Sequence, residues 1–403
     1  MFTQYRFFLA IPWFLALVGS TRAPGLRPAP AVIHPGAYRM GQYLPLLRGK
    51  RVALFANQTA TIGSTHLVDT LLKLGIHVTV IFSPEHGFRG TADAGEQVSS
   101  SIDSLTGLPV ISLYGKHVRP SAEDLSRVDV LLFDIQDVGV RFYTYLSSLQ
   151  EYLQAAIDNR KPLILLDRPN PNGFYVDGPV LDTHFRSFVG KEPVPVVYGM
   201  TLGEYAKMLL GEGWVTGAGD APGFSLTVIP CEGYTHKSQY KLPVKPSPNL
   251  PDMQSVYLYP SLCYFEGTAI SLGRGTDKPF QCFGSPRFPS TGYRFTPRSV
   301  PGAKNPPLLG QPCNGFDLVA PSDEALLKQL GGRIQLKWLL EAYRLFPAKD
   351  SFFLKTGGFN RLAGSAQLMQ QIKEGASEAA IRASWQPGIK AFMKIRAKYL
   401  MYP

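Results

Sequence analysis

Two features of this 403-residue chain predict an α/β fold, a Rossmann-like, mostly parallel sheet domain joined to a second, smaller mixed α+β domain. From Arg51 to about Pro230, short apolar runs alternate with amphipathic stretches. Such alternation calls for right-handed crossovers between parallel strands, with helices on both faces of the sheet. Pro243, Pro246, Pro248 and Pro251 then crowd into the segment Lys241 to Pro251 and mark a change of composition. The expected domains are residues 24–245 for the sheet and 246–403 for a smaller partner closing a cleft.

In chain order, Met1 to Ala23 carries Arg6, an apolar stretch from Phe7 to Val18 and the small residues Gly19, Ser20 and Ala23. These are the marks of a cleaved secretory signal peptide, so a secreted or periplasmic protein is expected. No other run approaches ~20 apolar residues, and no stable membrane insertion is expected. Strands are predicted at Val52–Ala56, Val78–Phe82, Val110–Leu113, Val128–Phe133, Pro162–Leu166 and Leu226–Ile229. The intervening helical stretches are Thr65–Leu74, Ser121–Ser126, Tyr143–Asp158 and Leu202–Leu210. After the proline-rich segment, helices are expected at Met253–Tyr264, Asp323–Leu330, Leu336–Leu345, Ser365–Glu374 and Pro387–Tyr399, with short strands in the Gly- and Pro-rich stretch up to Pro321.

Composition narrows the chemistry. A formal net charge of +11 favours an anionic partner, but the basic residues are scattered and form no nucleic-acid tract. The cysteines are Cys231, Cys263, Cys282 and Cys313, without C-x-x-C spacing, so a metal site is not expected; one or two disulfides and four buried thiols remain equal alternatives. The loop after the first strand lacks G-x-G-x-x-G and Walker-type patterns, no G-x-S-x-G elbow exists, and no H-E-x-x-H appears. Nucleotide, serine-hydrolase and metallo-hydrolase chemistry are set aside on these grounds, and no cofactor is expected.

The strand ends carry the remaining signal. They read Asn57-Gln58-Thr59, Glu85-His86-Gly87, Tyr114-Gly115, Asp134-Ile-Gln136-Asp137 and Asp167-Arg168-Pro169-Asn170. In open parallel sheets ligands bind at the carboxyl ends of strands, and carboxylates, amides and imidazole suit a pocket for hydroxyl-rich ligands. Glycoside hydrolysis needs two carboxyl groups, one to protonate the leaving oxygen. Glu85 is the leading proton donor: the apolar strand behind it and Phe88 after it are expected to raise its pKa by desolvation. His86 either orients that carboxylate or touches substrate. Asp134, Asp137 and Asp167 compete for the second role, while Asp134 has a structural alternative, pairing with Arg141 or Arg168. Glu266, just before Gly267, is a further candidate, and Arg274 among glycines is placed to clamp a carboxylate with its planar fork.

Ser83-Pro-Glu-His-Gly-Phe-Arg-Gly90, Asp134-Ile-Gln-Asp-Val-Gly-Val-Arg-Phe-Tyr-Thr-Tyr145, Leu166-Asp-Arg-Pro-Asn-Pro171 and Phe265-Glu-Gly-Thr268 with Gly273-Arg-Gly-Thr276 resemble the exo-β-N-acetylmuramidase family NamZ. The resemblance runs from about Arg51 to the terminal Pro403. It implies an exo-acting glycosidase of cell-wall recycling that releases N-acetylmuramic acid from the non-reducing end of peptidoglycan-derived muramyl saccharides. It also implies Glu85 as essential acid, with Glu266 or a strand-end aspartate such as Asp167 as partner. Asn57, His86, Arg89, Gln136, Asp137, Arg141, Asp167, Asn170 and Arg274 are the pocket residues it implies, and Arg89, Arg141 or Arg274 would meet the sugar's lactyl carboxylate. The rivals are a secreted cell-wall sugar-binding module without turnover and a hydrolase of another acidic amino sugar.

Overall fold

Six apolar runs become the central sheet, and three adjacent ones, Arg51–Ala56, Val130–Asp134 and Pro162–Leu166, are buried almost throughout, as parallel strands under helices must be. The computed structural model describes residues 1–4, 32–90, 93, 96 and 100–403. The signal-peptide expectation falls almost wholly on residues outside these. Residues 33–403 cluster as one unit. The strands are β1 (Arg51–Ala56), β2 (Thr61–Ile62), β3 (Thr65–His66), β4 (His77–Ser83), β5 (Ser101–Ile102), β6 (Pro109–Ser112), β7 (Val130–Asp134), β8 (Pro162–Leu166) and β9 (Ser225–Ile229). The main sheet runs β5-β6-β4-β1-β7-β8-β9, parallel except for the short edge strand β5. With β5 set aside, this is the doubly wound order in which the chain first builds outward from β1 to β6 and then returns to build through β7 to β9.

Alternation along β1 divides the core in two. Val52, Leu54 and Ala56 join one cluster with Leu47, Val68 and Leu71, while Ala53 and Phe55 join the other with Phe82, Phe133 and Tyr152. The second cluster continues without a break into the C-terminal part through Val256, Phe265, Phe283 and Leu339.

The helices are α1 (Met40–Leu47), α2 (Leu67–Lys73), α3 (Tyr145–Asp158), α4 (Leu202–Gly211) and α5 (Met253–Leu262), followed by α6 (Asp323–Leu330), α7 (Leu336–Leu345), α8 (Gly358–Ala363), α9 (Gln367–Lys373) and α10 (Glu378–Arg396). Thr201 and Glu204 close a capping box on α4, as Asp252 and Ser255 do on α5. Helix α3 is buried from Tyr145 to Ile157, so it has no solvent face. A small antiparallel sheet, β10 (Cys282–Ser285), β12 (Cys313–Asp317) and β11 (Tyr293–Phe295), completes the second part in that spatial order.

Two expectations are corrected. Ser121–Ser126 forms turns, because the Ser121 amide and hydroxyl both donate to Asp124 and give the backbone a local alternative to the helix. The last helix begins at Glu378 rather than Pro387, since Ser377 caps it by accepting from the Ala380 amide. All four cysteines are buried and unbridged.

Candidate active site

A cavity of about 830 Å³ opens beside the ends of β4 and β6, where the C-terminal part closes over the sheet. Glu85, His86 and Tyr114 reach it from the sheet, Thr144 from the start of α3, and Glu266 and Arg274 from the C-terminal part. Strand β4 stops at Ser83, and a tight turn follows, with the Gly87 amide donating to the Pro84 carbonyl at 3.0 Å. Within it His86 takes φ +69°, a left-handed conformation that costs a non-glycine residue roughly 1–2 kcal/mol. The His86 side chain is itself buried, and a strained turn of this kind persists only where its surroundings over-determine it.

Thr144 occupies the N-cap position of α3, yet its side chain does not cap the helix. Its hydroxyl donates to Glu85 Oε2 at 2.9 Å. Tyr114 is the second contact: burial first, then the charge of Glu85 and a hydrogen bond with it, and finally Glu266, push its phenol pKa up. The phenol therefore stays protonated, and its shift records that both carboxylates are close by.

Glu266 stands in the 3-10 turn Cys263–Gly267 that continues α5. Its Oε1 accepts from Arg274 Nε at 3.0 Å and Nη2 at 2.5 Å, while Oε2 faces the Cys263 thiol at 3.8 Å. Burial works against the Arg274 charge, and Glu266 more than offsets it, so the guanidinium pKa rises. Phe280 lies 4.9 Å below the guanidinium and completes its seat. Tyr259 joins Phe280 and Phe142 in an aromatic wall, at ring separations of 4.9 and 5.5 Å. At the rim the Lys304 amide donates to Asp93 at 2.6 Å, and its ammonium to Glu96 at 3.2 Å.

Eight of the expected pocket residues do not line this cavity. Asp134 and Arg168 form a buried pair at 2.5 and 2.8 Å, the structural alternative rather than the pocket one. Asp167 accepts from the hydroxyls of Thr201 at 2.7 Å and Tyr402 at 2.6 Å and from the Gly203 amide at 2.9 Å. A Cβ at Gly203 would fall 2.8 Å from that carboxylate, which shows how closely α4 is seated on it. Arg141 spends its guanidinium on the carbonyls of Pro179, Val194 and Leu362, each at 2.8 Å, and burial lowers its pKa to about 10. Asn57 donates to the Tyr145 hydroxyl at 2.8 Å, and Gln136 to the carbonyls of Asp137 and Pro169 at 2.8 Å. Asp137 accepts from Tyr198 and the Gly139 amide, both at 2.6 Å, and Asn170 donates to the Met200 carbonyl at 2.7 Å. Arg89 lies over the Phe88 ring, 4.6 Å from its centre, and grips Asp103 at 2.8 and 3.0 Å.

Thus the strand ends of β1, β7 and β8 form a buried polar network beneath α3, α4 and the C-terminal residues, and the ends of β4 and β6 open into the cavity. Sequence reasoning passed over Thr144, Lys304 and the phenol of Tyr114. Tyr114 was read as a strand end and Thr144 lies within the Asp134–Tyr145 motif, but neither was given a role, and Lys304 carries no local signal. Among the described residues no helix is long and apolar enough to cross a membrane, and no group of three or more His, Cys, Asp or Glu side chains could hold a metal ion.

Two family models match: exo-β-N-acetylmuramidase NamZ, N-terminal, over residues 52–254, and its C-terminal counterpart over residues 257–402. The chain is 39% identical over 378 residues to the peptidoglycan β-N-acetylmuramidase NamZ of Bacillus subtilis strain 168, a match that covers 89% of each chain. It also resembles the 1.30 Å crystal structure of a DUF1343 family protein of Bacteroides fragilis NCTC 9343, with TM-score 0.84, 45% identity, and coverage of 92% of this chain and 99% of that one. A second such protein from the same organism, at 1.65 Å, gives TM-score 0.76 and 27% identity over the same shares.

Proposed function

The chain belongs to the exo-β-N-acetylmuramidase NamZ family, and from that premise we propose that it releases N-acetylmuramic acid from the non-reducing end of peptidoglycan fragments, with Glu85 as general acid. The observation that carries the reading is the meeting of Glu85, Glu266 and Arg274 in one cavity, with Tyr114 close to both carboxylates. Glu85 delivers its proton to the glycosidic oxygen as the bond to the anomeric carbon breaks. Thr144 and Tyr114 fix the direction of that proton, and His86 supports the turn that presents it. Glu266 supplies the second carboxylate of the pair that glycoside hydrolysis uses.

Among the described residues, Arg274 is the one arginine on the cavity wall. Its Nε and Nη2 are held by Glu266, which leaves Nη1 to meet the lactyl carboxylate that distinguishes muramic acid from other N-acetylhexosamines. Arg89 and Arg141 are committed to Asp103 and to backbone carbonyls, which leaves this recognition to Arg274. The leader read at residues 1–23 supports export, to the compartment where peptidoglycan lies.

Release of the chromophore from a chromogenic N-acetylmuramide tests the assignment. Glu85→Gln is expected to lower kcat by roughly 10²–10⁴-fold with a wild-type melting temperature. Wild-type turnover in that variant removes Glu85 from the acid role. Mass analysis of a defined disaccharide after incubation separates hydrolysis from binding without turnover and from attack on the lactyl ether.

A further inference from the structure

Glu266 is held by its own helix as well as from across the cavity. Tyr259, Cys263 and Glu266 follow one another at spacings of four and three residues. Helix α5 passes into the 3-10 turn Cys263–Gly267, and in those two geometries residues four and then three apart stand on one face. The side chains meet accordingly. The Tyr259 hydroxyl bonds the Cys263 sulfur, and the Cys263 thiol donates to Glu266 Oε2 at 3.8 Å. Gly267 seats the turn closely against α8, since a Cβ there would fall 2.4 Å from the Phe359 backbone.

The two oxygens of Glu266 are thereby held unequally. Oε1 takes two charge-assisted bonds from Arg274, which draw on its negative charge. Oε2 takes a thiol, a weak donor. A hydrogen bond to an ionised carboxylate stabilises the charged form, so a strong donor would fix Oε2 at the expense of its basicity. A weak one sets its direction and leaves most of that basicity in place. Cys263 keeps the proton it donates, because burial first, and then the charge of Glu266, push its thiol well above the ordinary range. It is therefore a donor and not a competing nucleophile, which would have to be a thiolate. The Glu266 side chain is 34% exposed and lines the cavity, so a carboxylate steered from its own helix still reaches a ligand.

We propose that Cys263 is a positioning residue of the active site, whose thiol holds Glu266 so that Oε2, and not Oε1, is the oxygen that works on the substrate. The work of Oε2 rests on the hydrolase reading above, whereas the hold of the thiol on Glu266 does not. Arg274 and Tyr114 face the same carboxylate from the loop beyond α5 and from the end of β6. Both are unchanged by a substitution at Cys263, so a difference between Cys263 variants reads the thiol.

The test compares wild type, Cys263→Ser and Cys263→Ala on a chromogenic N-acetylmuramide, with the fold checked by melting temperature. Serine puts a stronger O–H donor at the same place, and alanine removes the donor. The acidic limb of the kcat/KM profile, which reports a group that must be ionised, should move by roughly half a pH unit, down in Cys263→Ser and up in Cys263→Ala. In Cys263→Ala kcat should also fall about three- to tenfold with KM little changed. A thiol that only fills space predicts limbs that coincide with wild type, and that result, or limbs that move the same way in both variants, overturns the proposal. The S–H stretch needs no turnover and provides the separating arm, isolated in each background as the infrared difference against Cys263→Ala. It should move to higher wavenumber in Glu266→Gln, whose amide oxygen accepts less strongly than a carboxylate; an unmoved band overturns the proposal. If wild type leaves muramides intact and the band still answers to Glu266, the hydrolase reading falls and the hold of the thiol on Glu266 stands. If hydrolysis is present and band and limbs are both indifferent, the positioning falls and the hydrolase reading stands.

Discussion

Asp134 ends a central strand as a catalytic aspartate would, and removing it separates a structural role from a chemical one. Its side chain is fully buried and that of Arg168 is 2% exposed, so neither charge has water to fall back on. Asp134→Ala leaves the guanidinium with the Thr61 carbonyl at 3.2 Å as its remaining bonded oxygen. Breaking one side of a buried pair costs about 3–5 kcal/mol. At roughly 2–4 °C per kcal/mol, the melting temperature should fall by on the order of 6–20 °C. Turnover of a chromogenic N-acetylmuramide, measured well below that temperature, should persist, because Asp134 does not line the cavity. Replacing both partners by apolar residues, Asp134→Leu with Arg168→Met, should recover most of the loss, since no buried charge then remains. An unchanged melting temperature together with abolished turnover in Asp134→Ala would refute this reasoning and return Asp134 to the active site.

Two further outcomes follow from the same geometry. Burial lifts the Asp137 carboxyl from an ordinary 3.8 to about 6 against the bonds from Tyr198 and Gly139, and Asp167 is lifted to about 6 in the same way. The folded chain then binds protons that the unfolded chain has released, so this stabilisation is complete below the unfolded value and is lost as pH rises through about 6. It amounts to about 3 kcal/mol per group, so the melting temperature of Asp137→Asn relative to wild type should climb between about pH 4 and 7 and then level; a falling difference would reverse the assignment. Arg274→Lys keeps a cation beside Glu266 and loses the planar fork, so the kcat/KM preference for an N-acetylmuramide over the matching N-acetylglucosaminide should drop about tenfold. An unchanged preference, with both rates reduced alike, would mean that Arg274 serves Glu266 and does not read the lactyl group.

What could be read from sequence divides along a physical line. Strands β1, β4 and β6 to β9 were legible because continuous apolar runs between helical stretches have few other ways to be buried, and the doubly wound order follows from short connections. The strand ends were not separable, because a polar residue there serves either a ligand or the buried backbone and helix termini above it, and composition is the same in both cases. For Asp167 the deciding contact comes from Tyr402, 235 residues away in the chain, with Gly203 closing the other side. For Asp134 it was Arg168, which sequence reasoning did name as a partner.

The location of the cavity follows from what covers each strand end. Helices α3 and α4 and the C-terminal Tyr402 seal β1, β7 and β8, where the doubly wound topology would ordinarily place a ligand. The cavity lies outward, at β4 and β6, whose ends are covered by residues of the C-terminal part. That shift makes the site a composite. Glu85 is oriented by Thr144 and Tyr114 from the sheet, while Glu266 and Arg274 arrive on a turn and loop beyond α5. A sheet domain alone would hold Glu85 and lack both Glu266 and Arg274, so on the proposed reading catalysis and specificity depend on the packing of the two parts against each other.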